Sequence, residues 1–464
     1  MSASQRSRTR TSVTARTVGI FGVFGLAAAV FLLGVGTPTP ATAVASPASA
    51  VTTRVPPWPT ALPGLPAFLS VPATRSTATM KSILRTKIPK RLRWRALGKN
   101  VSIRVEDLET GAKEFGAKSG RGMIPASTMK TVTALAALSA LGADYRSPTN
   151  VRGTSDNLIV TLTGGGDPLL SSWDLDRLAR KTADRILSQT MPEKKIAVLF
   201  DDSIFATPTL APGWPASYFS QYVTAPRGLT RDLRRYSDGA RDAARYFRSK
   251  LVAHGLKGAV KKAVHRGTAP AGSELLAKFK GHALGDAVWP MLRYSDNSIA
   301  ENLIRHVAIA RGNPTTPAGA ARAVTAELRK LGVPMRGARI VDGSGLSTIN
   351  RLSTRTLIGV VRASMDPENL DLSIGYRSLG MPVAGQSGTL YSRFRAKKTK
   401  CAIGRVMAKT GTLTGVNALS GVAAGDDGRT RAFSILVNNR PLKVPSSKTL
   451  YRIDRLAAAV TGCR

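Results

Sequence analysis

Ser127 and Lys130 stand three residues apart in Pro125-Ala126-Ser127-Thr128-Met129-Lys130, just ahead of the apolar run Thr131-Val132-Thr133-Ala134-Leu135-Ala136-Ala137-Leu138. The run predicts a helix that begins near Ser127 and ends near Gly142. Residues three apart share a helix face, so the serine Oγ and the lysine amine can meet. The start of a helix also favours developing negative charge, through free N–H groups and the macrodipole. An acylating serine needs those two things: an amine to take its proton and donors for the oxyanion. A serine that caps an apolar helix is the plainer reading of the same residues, and the pair alone does not choose between the two.

Two later stretches bear on that choice. Ser295-Asp296-Asn297 precedes an apolar-periodic segment, 299–309, and Lys409-Thr410-Gly411-Thr412 leads into strand-like runs at 418–424 and 432–437. Hydroxyls, an amide and a second lysine are groups that can relay protons and bind a carboxylate. The tripeptide also occurs as Ser155-Asp156-Asn157, but there it follows Gly153 and leads into a β-rich run, where Asp-Asn serves a turn.

These residues need a frame. Segment 101–105 alternates as a strand, Glu109-Thr110-Gly111 turns it, and 113–117 returns as a hairpin. Segment 157–162 reads as a strand running into Gly164-Gly165-Gly166-Asp167-Pro168, segment 173–187 as a helix, and 196–200 as a buried strand. Helical patterns cover 238–254, 272–279, 321–331 and 447–460, and a basic helix at 80–95 is expected to break at Pro89. The expectation is an α+β fold in which a smaller α/β unit, 146–231, is inserted into a discontinuous main domain, 78–145 and 232–464.

Composition narrows the setting. The 464 residues suggest more than one domain. Arg6, Arg8, Arg10 and Arg16 precede an apolar run at 18–35, and Ala41-Thr42-Ala43 and Ala43-Val44-Ala45 follow. Residues 1–45 are therefore expected to be a signal peptide or an uncleaved membrane anchor, with a Pro/Ala/Ser/Thr-rich linker at 46–77. The protein should be exported, secreted or anchored, and with no cysteine near the run it is no lipoprotein. In an exported chain the two cysteines, Cys401 and Cys463, are expected to pair, with two free thiols as the alternative. His254, His265, His282 and His306 are scattered without ligand spacing, and no phosphate loop occurs, so neither metal nor cofactor is expected. Lys+Arg 68 against Asp+Glu 28 gives +40. Export removes nucleic acid as the partner. What remains is retention on an anionic wall or membrane surface through 81–104, or a merely solubilising surface.

Ser-x-x-Lys, Ser-Asp-Asn and Lys-Thr-Gly, in that order, are the three motifs of penicillin-binding proteins and serine β-lactamases. With Gly164-Gly165-Gly166-Asp167-Pro168, Asp201-Asp202-Ser203, Pro212-Gly213-Trp214, Asp342-Gly343-Ser344-Gly345-Leu346-Ser347 and Gly385-Gln386-Ser387-Gly388-Thr389-Leu390, the chain resembles the class C low-molecular-mass penicillin-binding proteins over about 80–462. These are D-alanyl-D-alanine carboxypeptidases and endopeptidases. The resemblance implies a transpeptidase-type domain, an antiparallel sheet with flanking helices and a helical part. It also implies peptidoglycan stem peptides as substrate and β-lactams as ligands. Family members commonly carry two inserts, whereas the spacing of Lys130 and Ser295 leaves room for one.

Carried onto this chain, the resemblance makes Ser127 the nucleophile toward the penultimate D-alanine carbonyl and Lys130 its base. Burial and a nearby cation, Lys409, would lower the Lys130 pKa, and Ser295 is the relay to the leaving D-alanine. Asn297 bonds Lys130 and the peptide. Thr410, Gly411 and Thr412 line the carboxylate site, with the N–H groups of Ser127 and Thr412 as oxyanion hole. Asp342-Gly343-Ser344-Gly345 is read as a structural turn near the site. A serine β-lactamase is the nearest alternative, disfavoured because no Glu-x-x-x-Asn stands between Asn297 and Lys409. A non-catalytic, cationic envelope-binding protein is another, disfavoured by the intact trio. The residues do not separate carboxypeptidase from endopeptidase use.

Overall fold

The strand expected at 101–105 is the second of five in an antiparallel sheet. Its strands are β1 (Asn100–Asp107), β2 (Lys113–Ala117), β8 (Val406–Leu413), β9 (Val416–Ala424) and β10 (Thr430–Asn438), in the order β2-β1-β10-β9-β8. A second sheet is built from β3 (Thr149–Gly153), β4 (Ile159–Thr163), β5 (Ile196–Asp201), β6 (Val260–Arg266) and β7 (Glu274–Phe279), in the order β6-β5-β4-β3-β7. The helices are α1 (Thr77–Leu92), α2 (Met129–Leu141), α3 (Ser172–Leu187), the single turn α4 (Tyr218–Gln221), α5 (Gly239–Ala253), α6 (Leu284–Arg293), α7 (Asn297–Ala310), α8 (Pro317–Lys330), α9 (Thr354–Ala363) and a C-terminal helix, Ser446–Val460. This computed structural model describes residues 71–189, 192–365, 375 and 380–463. The expected signal or anchor at 1–45 and the linker up to residue 70 lie outside the described residues. Among the described residues no helix is long and apolar enough to cross a membrane.

The first sheet is buried on both faces, which is why its central strands read as nearly continuous apolar runs. Alternation decides which side chain goes where. From β10, Ala432 and Leu436 join the core beneath α2, α6, α7, α8 and α9. Phe433, Ile435 and Val437 enter the opposite core, under α1 and the C-terminal helix. The α2 helix lies in the first core and is buried nearly all round, from Met129 to Leu138.

Three expectations change. The helix at 77–92 runs through Pro89 instead of breaking there, because Leu84 and Ile88 anchor one face of it in the core beneath the C-terminal helix. Segment 274–279 is strand β7, not helix. A short apolar run suits either state, and antiparallel pairing with β3 decides it. The inserted unit does not end at 231. Ala240, Ala243, Ala244, Phe247 and Leu251 of α5 pack with Val160, Val198 and Phe200 of the second sheet, and β6 and β7 are its edge strands. The excursion therefore spans about 146–283, closed where Arg146 bridges Ala283. The amphipathic pattern of α5 suits either core, so the sequence does not reveal which one it joins. The end of the expected linker is also fixed: the N–H groups of Thr74 and Arg75 donate to Asp426 O (2.6 and 3.0 Å), and Ser76 caps α1.

Candidate active site

Ser127 occupies a tight turn, Ala126–Thr128, that runs straight into α2. It is the one residue of 125–130 that is not buried. The preceding Ala126 holds φ 48°, a conformation that side chains other than glycine rarely adopt. Such strain persists only where the surroundings enforce it, and here two glycines do. A Cβ on Gly411 would stand 2.8 Å from Pro125 O, and one on Gly345 would stand 1.9 Å from Ala126 O. Strand β8 and the loop after Asp342 thus press on the serine turn from two sides.

Lys130, one turn beyond Ser127 and the second residue of α2, is wholly buried. Its Nζ donates to Ser127 Oγ (3.2 Å), Asn297 Oδ1 (2.7 Å) and Ser344 O (2.7 Å). An ammonium has three protons and no acceptor, so every proton is placed. Burial lowers the Lys130 pKa to about 8, against the carboxylates of Asp296, Asp342 and Glu301, which raise it.

Lys409 on β8 is also fully buried, with one hydrogen bond, to Thr410 O (3.1 Å). Burial pushes its pKa well down, and the neighbouring Lys130 pushes it further. Burial is the largest cause of both shifts, as expected for two amines enclosed together. Two ammonium groups this close repel each other, so burial and proximity both favour a neutral amine at the site.

Ser295 sits at φ 66°, at the turn before α7, where Asp296 Oδ1 caps the helix by accepting from Ile299 N (2.9 Å). Asn297 is further held by donating from Nδ2 to Tyr222 O (2.9 Å), and Thr224 N donates to Ser298 Oγ (2.8 Å). A segment of the excursion thereby fastens the Ser-Asp-Asn turn, which no local pattern announces. The Thr410 hydroxyl pairs with that of Thr389 (2.8 Å), and the Thr412 hydroxyl accepts from Asn417 Nδ2 (3.4 Å). Strand β8 is an edge strand. Before Lys409 its outer edge bonds to 382–384, through Ala384 N to Val406 O and Ala408 N to Pro382 O.

Ser155-Asp156-Asn157 forms the β3–β4 turn, with Asp156 Oδ1 accepting from Leu158 N (3.0 Å) and Asn157 at φ 56°. Cys401 and Cys463 form a disulfide between the turn before β8 and the third residue after the C-terminal helix.

The loop 342–347 is the part of the site that motif reasoning undervalued. Ser344 supplies a carbonyl to Lys130. Asp342 accepts from Gly345 N (2.9 Å), Ser347 N (2.6 Å), Asn350 Nδ2 (2.7 Å) and Trp214 Nε1 (2.8 Å). Glu301 was not singled out at all, although it stands four residues after Asn297 on the same face of α7, a spacing that could have found it.

The sequence matches the D-Ala-D-Ala carboxypeptidase 3 (S13) family over residues 84–232 and 227–460. Carboxypeptidase DacB of Mycolicibacterium smegmatis is 32% identical over 433 residues, covering 88% of this chain and 90% of the relative. The D-alanyl-D-alanine carboxypeptidase of Actinomadura sp. (strain R39) is 30% identical over 437 residues, 74% of this chain and 78% of the relative. Among solved structures, penicillin binding protein 4 (dacB) from Haemophilus influenzae superposes with a TM-score of 0.66 at 21% identity, over 81% of this chain and 97% of that one. That match speaks for the fold.

Proposed function

We propose, for a chain that belongs to the S13 family of D-Ala-D-Ala carboxypeptidases, a reaction path through Ser127. The protein is a serine-type D-Ala-D-Ala carboxypeptidase that acts on peptidoglycan stem peptides and binds β-lactams. The observation that carries the residue assignment is the threefold bonding of Lys130. When its ammonium loses a proton, two N–H groups remain for Asn297 Oδ1 and Ser344 O, the two shorter bonds. The lone pair is then directed at Ser127 Oγ, the longest of the three. The neutral amine takes the serine proton as Oγ attacks the penultimate D-alanine carbonyl. Charge developing on the carbonyl oxygen meets the N–H groups of Ser127 and Thr412, each such donor being worth roughly 3 kcal/mol.

The terminal carboxylate of the substrate lies by Thr410, Gly411 and Thr412. There it restores the charge of Lys409, since an adjacent anion favours the ammonium. Ser295 passes a proton to the leaving D-alanine, and water then releases the acyl peptide. A cross-link also has a D-alanine carbonyl at its scissile bond, so the same acyl-enzyme serves endopeptidase use. The enzyme acts outside the cytoplasmic membrane, where its substrate lies and where the Cys401–Cys463 bond persists. Its N-terminal apolar run either directs export or anchors it.

Incubation with labelled penicillin followed by peptide mass mapping tests the assignment. A slowly released adduct on Ser127 is expected, and none in Ser127→Ala. An adduct elsewhere, or no adduct, overturns it; rapid hydrolysis of the penicillin makes the protein a β-lactamase.

A further inference from the structure

Glu301 is a buried charge that the reaction path above does not use. It is 1% exposed. Its Oε1 accepts from the backbone N–H of both Gly343 (2.9 Å) and Ser344 (2.8 Å). The carbonyl of that same Ser344 accepts from Lys130 Nζ. Two hydrogen bonds and one residue therefore join the carboxylate to the amine beside Ser127.

The path has little freedom. Thr133 Oγ1, from α2, donates to Gly343 O (2.7 Å). A Cβ on Gly343 would stand 2.8 Å from Ala300 O, so only glycine lets the loop lie this close to α7. The four bonds accepted by Asp342 hold the other side. The loop is thus clamped between α7 and the serine turn, and Glu301 is the clamp's charged member.

We propose that Glu301 is a positioning residue for acyl transfer: it holds the Gly343–Ser344 backbone so that the Ser344 carbonyl accepts one Lys130 N–H and leaves the amine lone pair directed at Ser127. This rests on Ser127 and Lys130 being nucleophile and base. The charged groups around Glu301 are Arg305 one turn further along α7 (Nη1 to Oε2, 3.7 Å), Asp342 in the loop, and Lys130 on α2. Beyond Lys130 stand Lys409 on β8 and Asp296 at the start of α7. Burial and Asp342 raise the Glu301 carboxyl to about 7, against Arg305. In its charged form it favours the ammonium of Lys130. Position and charge thus have separate signatures: the first sets the maximal acylation rate, and the second sets the pH at which that rate is reached.

The test uses the full chain, with Glu301→Gln and Glu301→Asp. The second-order rate of labelling Ser127 by a fluorescent penicillin is measured against pH, alongside thermal unfolding. Glu301→Gln should lower the plateau by roughly 10- to 100-fold, as small misplacements of catalytic groups do. It should also move the midpoint of the rise to lower pH by about half a unit or more, because a charge that favoured the ammonium is gone. Glu301→Asp keeps the charge but is one methylene shorter. It should lower the plateau while leaving the midpoint in place, and it carries the test if the glutamine variant does not fold. A Glu301→Gln profile matching the parent in plateau and midpoint overturns the proposal. So does a lowered plateau with an unmoved midpoint and a matching loss of thermal stability, which is the behaviour of a merely structural residue. Failure of the parent protein to label at Ser127 refutes the functional reading itself and is seen before any variant is made.

Discussion

Acylation should accelerate about tenfold when the pH rises from one unit below to one unit above the Lys130 pKa, and then level off. The base must be neutral to accept the Ser127 proton, so the rate follows the deprotonated fraction. Burial brings that pKa from 10.5 to about 8, which corresponds to about 3 kcal/mol of lost preference for the charged form. One unit below the pKa about a tenth of the amine is neutral, and one unit above about nine-tenths is. An exposed lysine, with its ordinary pKa near 10.4, would give about a hundredfold rise over the same interval with no plateau. Curvature therefore distinguishes a buried base from an exposed one even where absolute rates are uncalibrated. The assay is the second-order rate of penicillin labelling at sub-saturating reagent, with unfolding monitored at each pH. A rate that is flat, falls, or still climbs tenfold per unit well above the expected midpoint would refute the role given to Lys130. Lys130→Arg, whose guanidinium keeps its proton, should label at least ~1000-fold more slowly at every pH while remaining folded.

Gly411→Ala places a methyl group 2.8 Å from Pro125 O and 3.1 Å from the Ala126 Cβ. The serine turn must shift, and penicillin labelling should fall by roughly 10- to 100-fold, with far-ultraviolet circular dichroism unchanged. Arg431 is fully buried and bonds Asp427 with both Nη atoms (2.7 and 2.8 Å) and Glu114 with Nη2 (3.3 Å). Arg431→Met leaves two buried carboxylates without their partner and should remove about 3–5 kcal/mol in urea unfolding, with little effect on labelling by the protein that remains folded. Cys463→Ser opens a covalent loop spanning 62 residues. It should lower unfolding free energy by about 2–4 kcal/mol and leave the pH profile of acylation as it was; a shifted profile would tie the disulfide to the site.

Motif spacing carried the chemistry because part of the site is local. Ser127 and Lys130 meet through a single helical turn, and Asn297 follows Ser295 within one tripeptide, so short-range rules reach them. The second Ser-Asp-Asn, at 155–157, was separable by its surroundings, since a turn between two strands lacks a helix to cap. The limit of the excursion was not legible. The face of α5 suits either core, and only strand pairing with β5 and β3 assigns 260–279 to the second sheet.

The sequence by itself indicated an α+β D-Ala-D-Ala carboxypeptidase and pointed to Ser127, Lys130 and Lys409-Thr410-Gly411 as its proposed nucleophile, base and carboxylate site, because residue types at fixed spacing define what bonds can form. It could not determine how the base is poised. The burial of Lys130, the Ser344 carbonyl 214 residues further on that accepts a hydrogen bond from it, and the enclosure of Lys409 beside it all come from segments brought together by packing. A pKa is set by desolvation and by the charges nearby in space. Neither quantity exists along the chain until the loop after Asp342, α7 and the edge strand β8 close around the serine turn.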